Sequence, residues 1–123
     1  MVDPSFSTEL ELELEDLKHA VHNLRTAVAE AYYYAPPGDA ASEVRSDPGI
    51  QERKAALVRL AADLIERCEG WAVALRQETD WSFDLAQFMT FEHYVPPGPR
   101  MLERAETALA GARTSAGLLG GLP

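Results

Sequence analysis

Seven apolar residues in the first third of the sequence restrict the possible folds of this chain more than any other feature. They are spaced alternately four and three apart. They are Leu10, Leu14, Leu17, Val21, Leu24, Val28 and Ala31. A repeat of 3.5 residues places all seven on one face of a helix. Residues 9–15 also alternate glutamate with leucine, as a strand does, but the heptad continues well beyond them. We expect the helix to begin near Thr8, which can form a capping box with Glu11, and to end at Pro36-Pro37-Gly38.

Residues 35–49 are rich in proline, glycine, alanine and serine, which predicts a loop after the first helix. Asp47 and Pro48 then resemble a helix start, with an N-cap followed by proline at the first helical position. The second helix is expected to extend to about residue 78. Its apolar stripe comprises Leu57, Leu60, Ala61, Leu64, Cys68, Trp71 and Leu75. Gly70, within this helix, predicts a close helix crossing or a kink.

Two further helices are expected after the second one. Residues 80–94 predict a shorter, aromatic-rich helix, and the prolines within 96–99 separate it from a C-terminal helix. The glycine-rich residues 114–123 predict a flexible tail. Because helical periods dominate and no pair of strands is convincing, the sequence predicts an all-α fold. We expect a small bundle of about four helices in a single domain, residues 1–123, with a long N-terminal heptad helix.

The charge balance limits the classes of partner. Twenty acidic and eleven basic side chains give a net charge of −9, which argues against direct binding to nucleic acid or to an anionic membrane. The single cysteine, Cys68, cannot form an intrachain disulfide. The sequence has neither a signal-peptide pattern nor an apolar run of the ~18–20 residues that a membrane span needs. A cytoplasmic location is therefore expected.

Candidate chemistry is sparse. Glu15, His19 and His22 are spaced four and three apart and can bind a metal ion, with His93 as a further ligand. In the heptad register, however, these positions face away from the core, which favours solvated surface over a metal site. The sequence has no glycine-rich phosphate loop and no nucleophile motif. The pairs Glu66/Glu69 and Glu103/Glu106 lie among arginines, as on ordinary surface helices. We therefore predict no enzymatic activity and no cofactor.

The heptad allows two interpretations. Leucine at d with mainly β-branched residues at a favours a parallel dimer, in which Glu13 would face Lys18 of the partner. The same spacing forms the seam of an intramolecular bundle, which we favour for a chain with three more helices. The possible dimer seam consists of Leu10, Leu14, Leu17, Val21, Leu24 and Val28.

Aromatic residues suggest a contact surface. Three consecutive tyrosines cannot all face one core, because successive helical residues are ~100° apart, so at least one is expected to be exposed. The aromatic segment 81–94 is either a core helix or a docking surface. Spaced aromatics flanked by acids would suit a protein partner with a basic rim. The candidate contact residues are Tyr32, Tyr33, Tyr34, Trp81, Asp84, Phe88, Phe91 and Tyr94.

The heptad helix continues into residues 31–38 (AYYYAPPG), and a loop then leads to a helix containing residues 71–78 (WAVALRQE). This arrangement resembles small uncharacterised helical proteins of actinobacteria and their phages, over about the first two-thirds of the chain. The resemblance implies an accessory protein of the host cytoplasm or of a virion and implies no catalytic residues. The sequence thus predicts a non-enzymatic interaction or assembly factor that binds a protein or associates with itself. The alternatives are a metal-binding bundle protein or enzyme, and an acidic mimic of nucleic acid that inhibits a DNA-binding protein.

Overall fold

Four helices make up most of the computed structural model, which describes the backbone of residues 4–88 and 99–123 and the side chains of 8–77 and 101–123. They are α1 (Pro4–Tyr34), α2 (Ala40–Ser46), α3 (Pro48–Phe88) and α4 (Pro99–Gly120). No strand occurs in this part of the chain. The predicted all-α bundle with a long N-terminal helix is therefore confirmed.

The heptad side chains of α1 form the centre of the bundle. The six residues considered for a dimer seam are only 0–6% exposed within the single chain. Burying a leucine or valine completely contributes about 1.5–3 kcal/mol, so this seam is a major source of stability. Its buried partners on the two other long helices are Ala61, Leu64, Cys68, Trp71, Ala72, Leu75, Ala105, Ala108, Ala112 and Leu119.

Contacts between the helices define their directions. Arg76 of α3 pairs with Glu106 of α4, and Lys54, earlier in α3, contacts Leu122, just beyond the end of α4. These two helices are therefore antiparallel. Arg104 of α4 pairs with a carboxylate near the start of α1, and Gly111 lies against a later turn of α1. Helices α1 and α4 are therefore parallel neighbours, and α3 runs in the opposite direction to both.

Helix α4 approaches its neighbours closely because its inward face is made of small residues. Ala105, Ala108 and Ala112 are buried there, together with Ser115. A Cβ atom added at Gly111 would lie 3.2 Å from Leu14 Cδ2 of α1. Small side chains on α4 thus leave room for the larger leucines of α1.

The predicted start of α1 and the predicted loop 35–49 both need correction. Helix α1 already includes Pro4, so Thr8 lies inside the helix rather than at its N-cap. The loop contains α2, which forms because the fully buried Val44 anchors it to the core. Before α2 the chain turns sharply: the Asp39 N–H donates to the Pro36 carbonyl, and Gly38 has a φ of +92°. Proline followed by a glycine of positive φ is typical of a type II turn.

The start of α3 agrees with the sequence prediction, whereas its length does not. Asp47 Oδ1 accepts hydrogen bonds from the backbone N–H groups of Gly49 and Ile50, at 2.9 and 3.1 Å, so it is the N-cap and Pro48 is the first helical residue. The helix does not stop near residue 78. It continues to Phe88, and the separate aromatic helix predicted for 80–94 is wrong in its described part. The physical reason is that no proline or glycine interrupts the sequence between residues 71 and 88.

Two details of the predicted α3 stripe are also wrong. Leu60 is exposed rather than buried. Gly70 has no heavy atom within 4 Å of the position that a Cβ would occupy, so it does not mark a close helix crossing. The remaining residues of the stripe are buried or half-buried.

The C-terminal residues are not the flexible tail that their glycine content predicted. Helix α4 extends to Gly120, and Leu119 is fully buried. Lys54 Nζ donates to the Leu122 carbonyl at 2.9 Å, and Gln51 Nε2 donates to the Pro123 carbonyl at 3.1 Å. The start of α3 thus supplies donors to two backbone carbonyls that lie just beyond the end of α4.

Candidate functional site

The last turn of α1 exposes aromatic surface. Tyr33 and Tyr34, the tyrosine pair, are each 81% exposed, and Tyr32 is 41% exposed. The rings of the tyrosine pair lie edge to face, with centroids 5.0 Å apart and an interplanar angle of 88°. The prediction of at least one exposed tyrosine is confirmed. Exposed tyrosines of this kind are enriched among the side chains that dominate binding energy at protein interfaces.

Carboxylates outnumber cations in the part of the chain that contains the tyrosine pair. Residues 29–47 contain four carboxylates and one basic residue, Arg45. Glu30 lies three and four residues before the two rings, and therefore one helical turn away from them. Asp39 occupies the N-cap position of α2, but its side chain makes no capping hydrogen bond. The start of α3 lies at the same end and adds Glu52, Arg53 and Lys54, so exposed aromatic rings occur there together with a modest excess of acids, five against three bases.

Elsewhere, arginines on one helix neutralise carboxylates on another. The pairs that join different helices are Glu11–Arg104 (2.5 Å), Glu13–Arg67 (2.6 Å), Glu69–Arg113 (2.8 Å) and Arg76–Glu106 (2.9 Å). All of these side chains are partly exposed, so each pair contributes about 0–1 kcal/mol to stability. Glu30, Asp39 and Glu43 take part in none of the ion pairs formed by the described side chains. The unpaired acids therefore include those beside the tyrosine pair.

A groove of about 510 Å³ lies between α1 and α4. Its lining residues are Glu11, Leu14, Glu15, Lys18, Glu103, Arg104, Thr107 and Ala108. The apolar lining residues Leu14 and Ala108 are each only 4% exposed, and the Glu11–Arg104 ion pair links the two walls. Its other lining side chains are charged, apart from Thr107.

The candidate metal ligands do not form a coordination site. Glu15, His19 and His22 line a surface depression of about 270 Å³, but all three are exposed, and Glu15 accepts a hydrogen bond from Lys18 at 3.2 Å. Among the described residues, no group of three or more histidines, cysteines, aspartates or glutamates is placed to hold a metal ion. His93 lies outside the described residues. The geometry gives no support to the metal-binding alternative.

The titratable groups with shifted pKa values do not suggest catalysis. Cys68 is fully buried, and this burial raises the pKa of its thiol, although the nearby charge of Arg67 opposes the effect. Partial burial lowers the pKa of Arg67, but hydrogen bonds and charge interactions with Glu13 and Asp63 outweigh that effect and raise it. Each group is thus held in its protonated form, whereas a nucleophile or a general base must be deprotonated.

The structure places only part of the predicted contact surface. Trp81, Asp84 and Phe88 lie in the last turns of α3, where side chains are not among those described. Phe91 and Tyr94 lie outside the described residues. The three tyrosines of α1 are therefore the predicted contact residues whose exposure is established.

The six residues considered for a dimer seam are buried inside the single chain. They contact α3 and α4 of the same chain, so a dimer through this seam would first have to open the bundle. Glu13 and Lys18, the pair expected across such a dimer, instead contact Arg67 and Glu15 of the same chain.

Sequence reasoning did not identify the ion pairs between helices. In the sequence Glu69 and Glu106 stand out only as members of acidic pairs, whereas in the structure they bind Arg113 and Arg76. The signal was present in the form of arginines next to these acids, but the sequence did not show which helices would be neighbours.

Within the described residues, no helix has the length and apolar character required to cross a membrane. Comparison of the chain with protein families, with curated proteins and with solved structures finds no match.

Proposed function

We propose that this protein is a non-enzymatic interaction factor that binds a protein partner through the end of the bundle formed by α1 and α2. The observation that carries the proposal is the tyrosine pair, two adjacent rings that are each 81% exposed. A folded chain gains little stability from large aromatic side chains in water, whereas a partner that buries them gains apolar contact and hydrogen bonds from the hydroxyls.

The anchoring of the chain that follows the tyrosines also supports an interface. The Pro36–Asp39 turn and the buried Val44 of α2 fix the chain that follows the tyrosines. A contact residue held on a rigid element loses less conformational entropy on binding than one on a mobile loop. We infer that the uncompensated acids nearby favour a partner with a basic rim, which they would attract during encounter.

Self-association and nucleic-acid mimicry receive less support. The seam expected to mediate a dimer is buried inside the chain. A mimic of nucleic acid needs an array of unpaired negative charges, but Glu11, Glu13, Glu69 and Glu106 are all neutralised by arginines of neighbouring helices. The accessory role suggested by the resemblance to actinobacterial and phage proteins is compatible with binding a protein.

The test is affinity purification from the native host, followed by measurement of the dissociation constant for the protein recovered. We expect the double variant Tyr33→Ala/Tyr34→Ala to weaken binding at least tenfold while leaving the melting temperature unchanged. The matched control is Val58→Ala/Val73→Ala, which removes two exposed apolar side chains elsewhere on the bundle. Equal binding by the tyrosine variant and the wild type would refute the proposal, and so would the absence of any specific partner. Light scattering after gel filtration would reveal a dimer.

A further inference from the structure

We infer that the end of the bundle bearing the tyrosine pair binds the arginine side chains of an extended segment of another protein. This inference rests on the proposed function. Each guanidinium would stack on an exposed tyrosine ring while its charge is met by a neighbouring carboxylate. The occupant is thus defined by chemistry, as an arginine-bearing segment of another protein.

The two tyrosine rings offer accessible faces to a cation. A cation above the face of an aromatic ring is attracted by the electrons of that face. In an edge-to-face pair, one ring directs its edge at the face of the other, so the pair still presents free faces to the solvent. The exposure of both rings and their interplanar angle of 88° meet this condition. The rings are therefore accessible to a planar cation approaching from outside.

Unpaired carboxylates near the tyrosine pair in the chain complement a positively charged occupant. Glu30 is exposed one helical turn before the tyrosine pair, and Asp39 is exposed directly after the turn that follows it. Neither carboxylate takes part in an ion pair within the described residues, and the Asp39 side chain is not used as a helix cap. Glu43, in the first turn of α2, adds a third unpaired acid. Positive charge on the occupant would compensate all three.

Like charges disfavour a second copy of this chain as the occupant. In a symmetric dimer each copy contributes the same surface patch. Two such patches would bring Glu30, Asp39 and Glu43 of both copies together, and like charges at short range repel. The surface therefore disfavours its own copy and favours a basic partner.

Arginine suits this surface better than lysine. The guanidinium is planar, is weakly hydrated, stacks on aromatic rings and can donate two parallel hydrogen bonds to one carboxylate. The lysine ammonium is compact and strongly hydrated, so it offers charge without stacking. A preference for arginine over lysine at equal charge therefore separates ring stacking from simple electrostatic attraction.

The experiment titrates the full chain into two fluorescently labelled peptides of equal length, one alternating arginine with glycine and the other lysine with glycine. Anisotropy is measured in 50 mM and 300 mM salt. We expect the arginine peptide to bind at least five times more tightly than the lysine peptide, and both to bind more weakly at the higher salt concentration.

Variants separate the contributions of the rings and the carboxylates. Tyr33→Phe/Tyr34→Phe keeps both rings and should retain the preference for arginine, whereas Tyr33→Leu/Tyr34→Leu keeps apolar bulk without a ring and should abolish it. Glu30→Gln/Asp39→Asn should weaken binding of both peptides at least threefold. The matched control Glu9→Gln/Glu66→Gln changes the charge equally at exposed acids outside this surface and should have no effect.

Two outcomes would overturn the inference: equal affinity for the two peptides, or an arginine preference that persists in the leucine variants. If the peptides show no preference but the purified partner still requires the tyrosine pair, the arginine inference is wrong and the proposed function stands. If the partner also ignores the tyrosine pair, both fail.

Discussion

Replacing Gly70 with alanine should stabilise the protein, because the structure leaves the space beside this residue empty. Gly70 lies within α3, and no heavy atom is found within 4 Å of the position that its Cβ would take. Glycine within a helix costs about 0.8–1 kcal/mol relative to alanine, because the unfolded chain loses more freedom on folding. We expect the free energy of unfolding to rise by about 0.5–1 kcal/mol, which corresponds to an increase of about 2–5 °C in melting temperature.

Gly111→Ala is the matched control. Its added Cβ would lie 3.2 Å from Leu14 Cδ2 and 3.4 Å from Lys18 Cε. Leu14 is buried and cannot move away freely, so the close contact should cancel the gain in helix propensity. The assay is urea unfolding of both variants and the wild type, followed by circular dichroism at 222 nm. A loss of stability in Gly70→Ala, or an equal gain in both variants, would refute the reasoning.

Three further predictions concern the core, the start of α3 and the buried thiol. Leu24→Ala should lower the free energy of unfolding by about 2–5 kcal/mol, because Leu24 is fully buried. The same change at Leu12, which is 61% exposed, should cost less than about 0.5 kcal/mol, and similar losses at both positions would contradict the assigned core. Asp47→Ala should cost about 1 kcal/mol by removing two N-cap hydrogen bonds, whereas Asp47→Ser should restore most of this loss; urea midpoints that do not differ would contradict the cap. Burial raises the pKa of Cys68, so the folded state favours the protonated thiol. The stability that the buried thiol contributes is therefore fully present below about pH 8.5, and it is lost as the pH rises through the folded-state pKa. Urea titrations from pH 7 to 10.5 should show a steeper loss of stability in the wild type than in Cys68→Ala, and parallel curves would contradict this.

The elements that the sequence predicted well are those determined by local chemistry. The burial of the six seam residues of α1 follows from a repeat that only a helix converts into one face. The cap at Asp47 follows from an acceptor side chain placed directly before proline. The exposure of at least one of the three tyrosines follows from the angle between successive helical residues, whatever the neighbouring helices are.

The elements that it missed depend on contacts between distant segments. Helix α2 is only seven residues long, too short to be stable without the burial of Val44. Residues 114–120 are helical because Leu119 is buried in the core, although their glycines disfavour a helix. Likewise, the carboxylates beside the tyrosine pair could be counted from the sequence, but which acids are neutralised by arginines depends on the order of helices in the bundle.

The parallel pairing of α1 with α4 affects how the chain folds while it is being synthesised. Glu11 and Arg104 are 93 residues apart, whereas the contacts between α3 and α4 at Arg76–Glu106 and Glu69–Arg113 span 30 and 44 residues. Closing the 93-residue loop costs only about 0.7 kcal/mol more than closing the 44-residue loop. The longer connection therefore lowers the equilibrium stability only slightly. The separation matters more during synthesis, because at ordinary elongation rates Arg104 of α4 emerges from the ribosome about 5–20 s after Glu11 of α1. During that interval the leucine face of α1 lacks its α4 partner, and the glutamates that alternate with its first leucines keep the nascent segment hydrated.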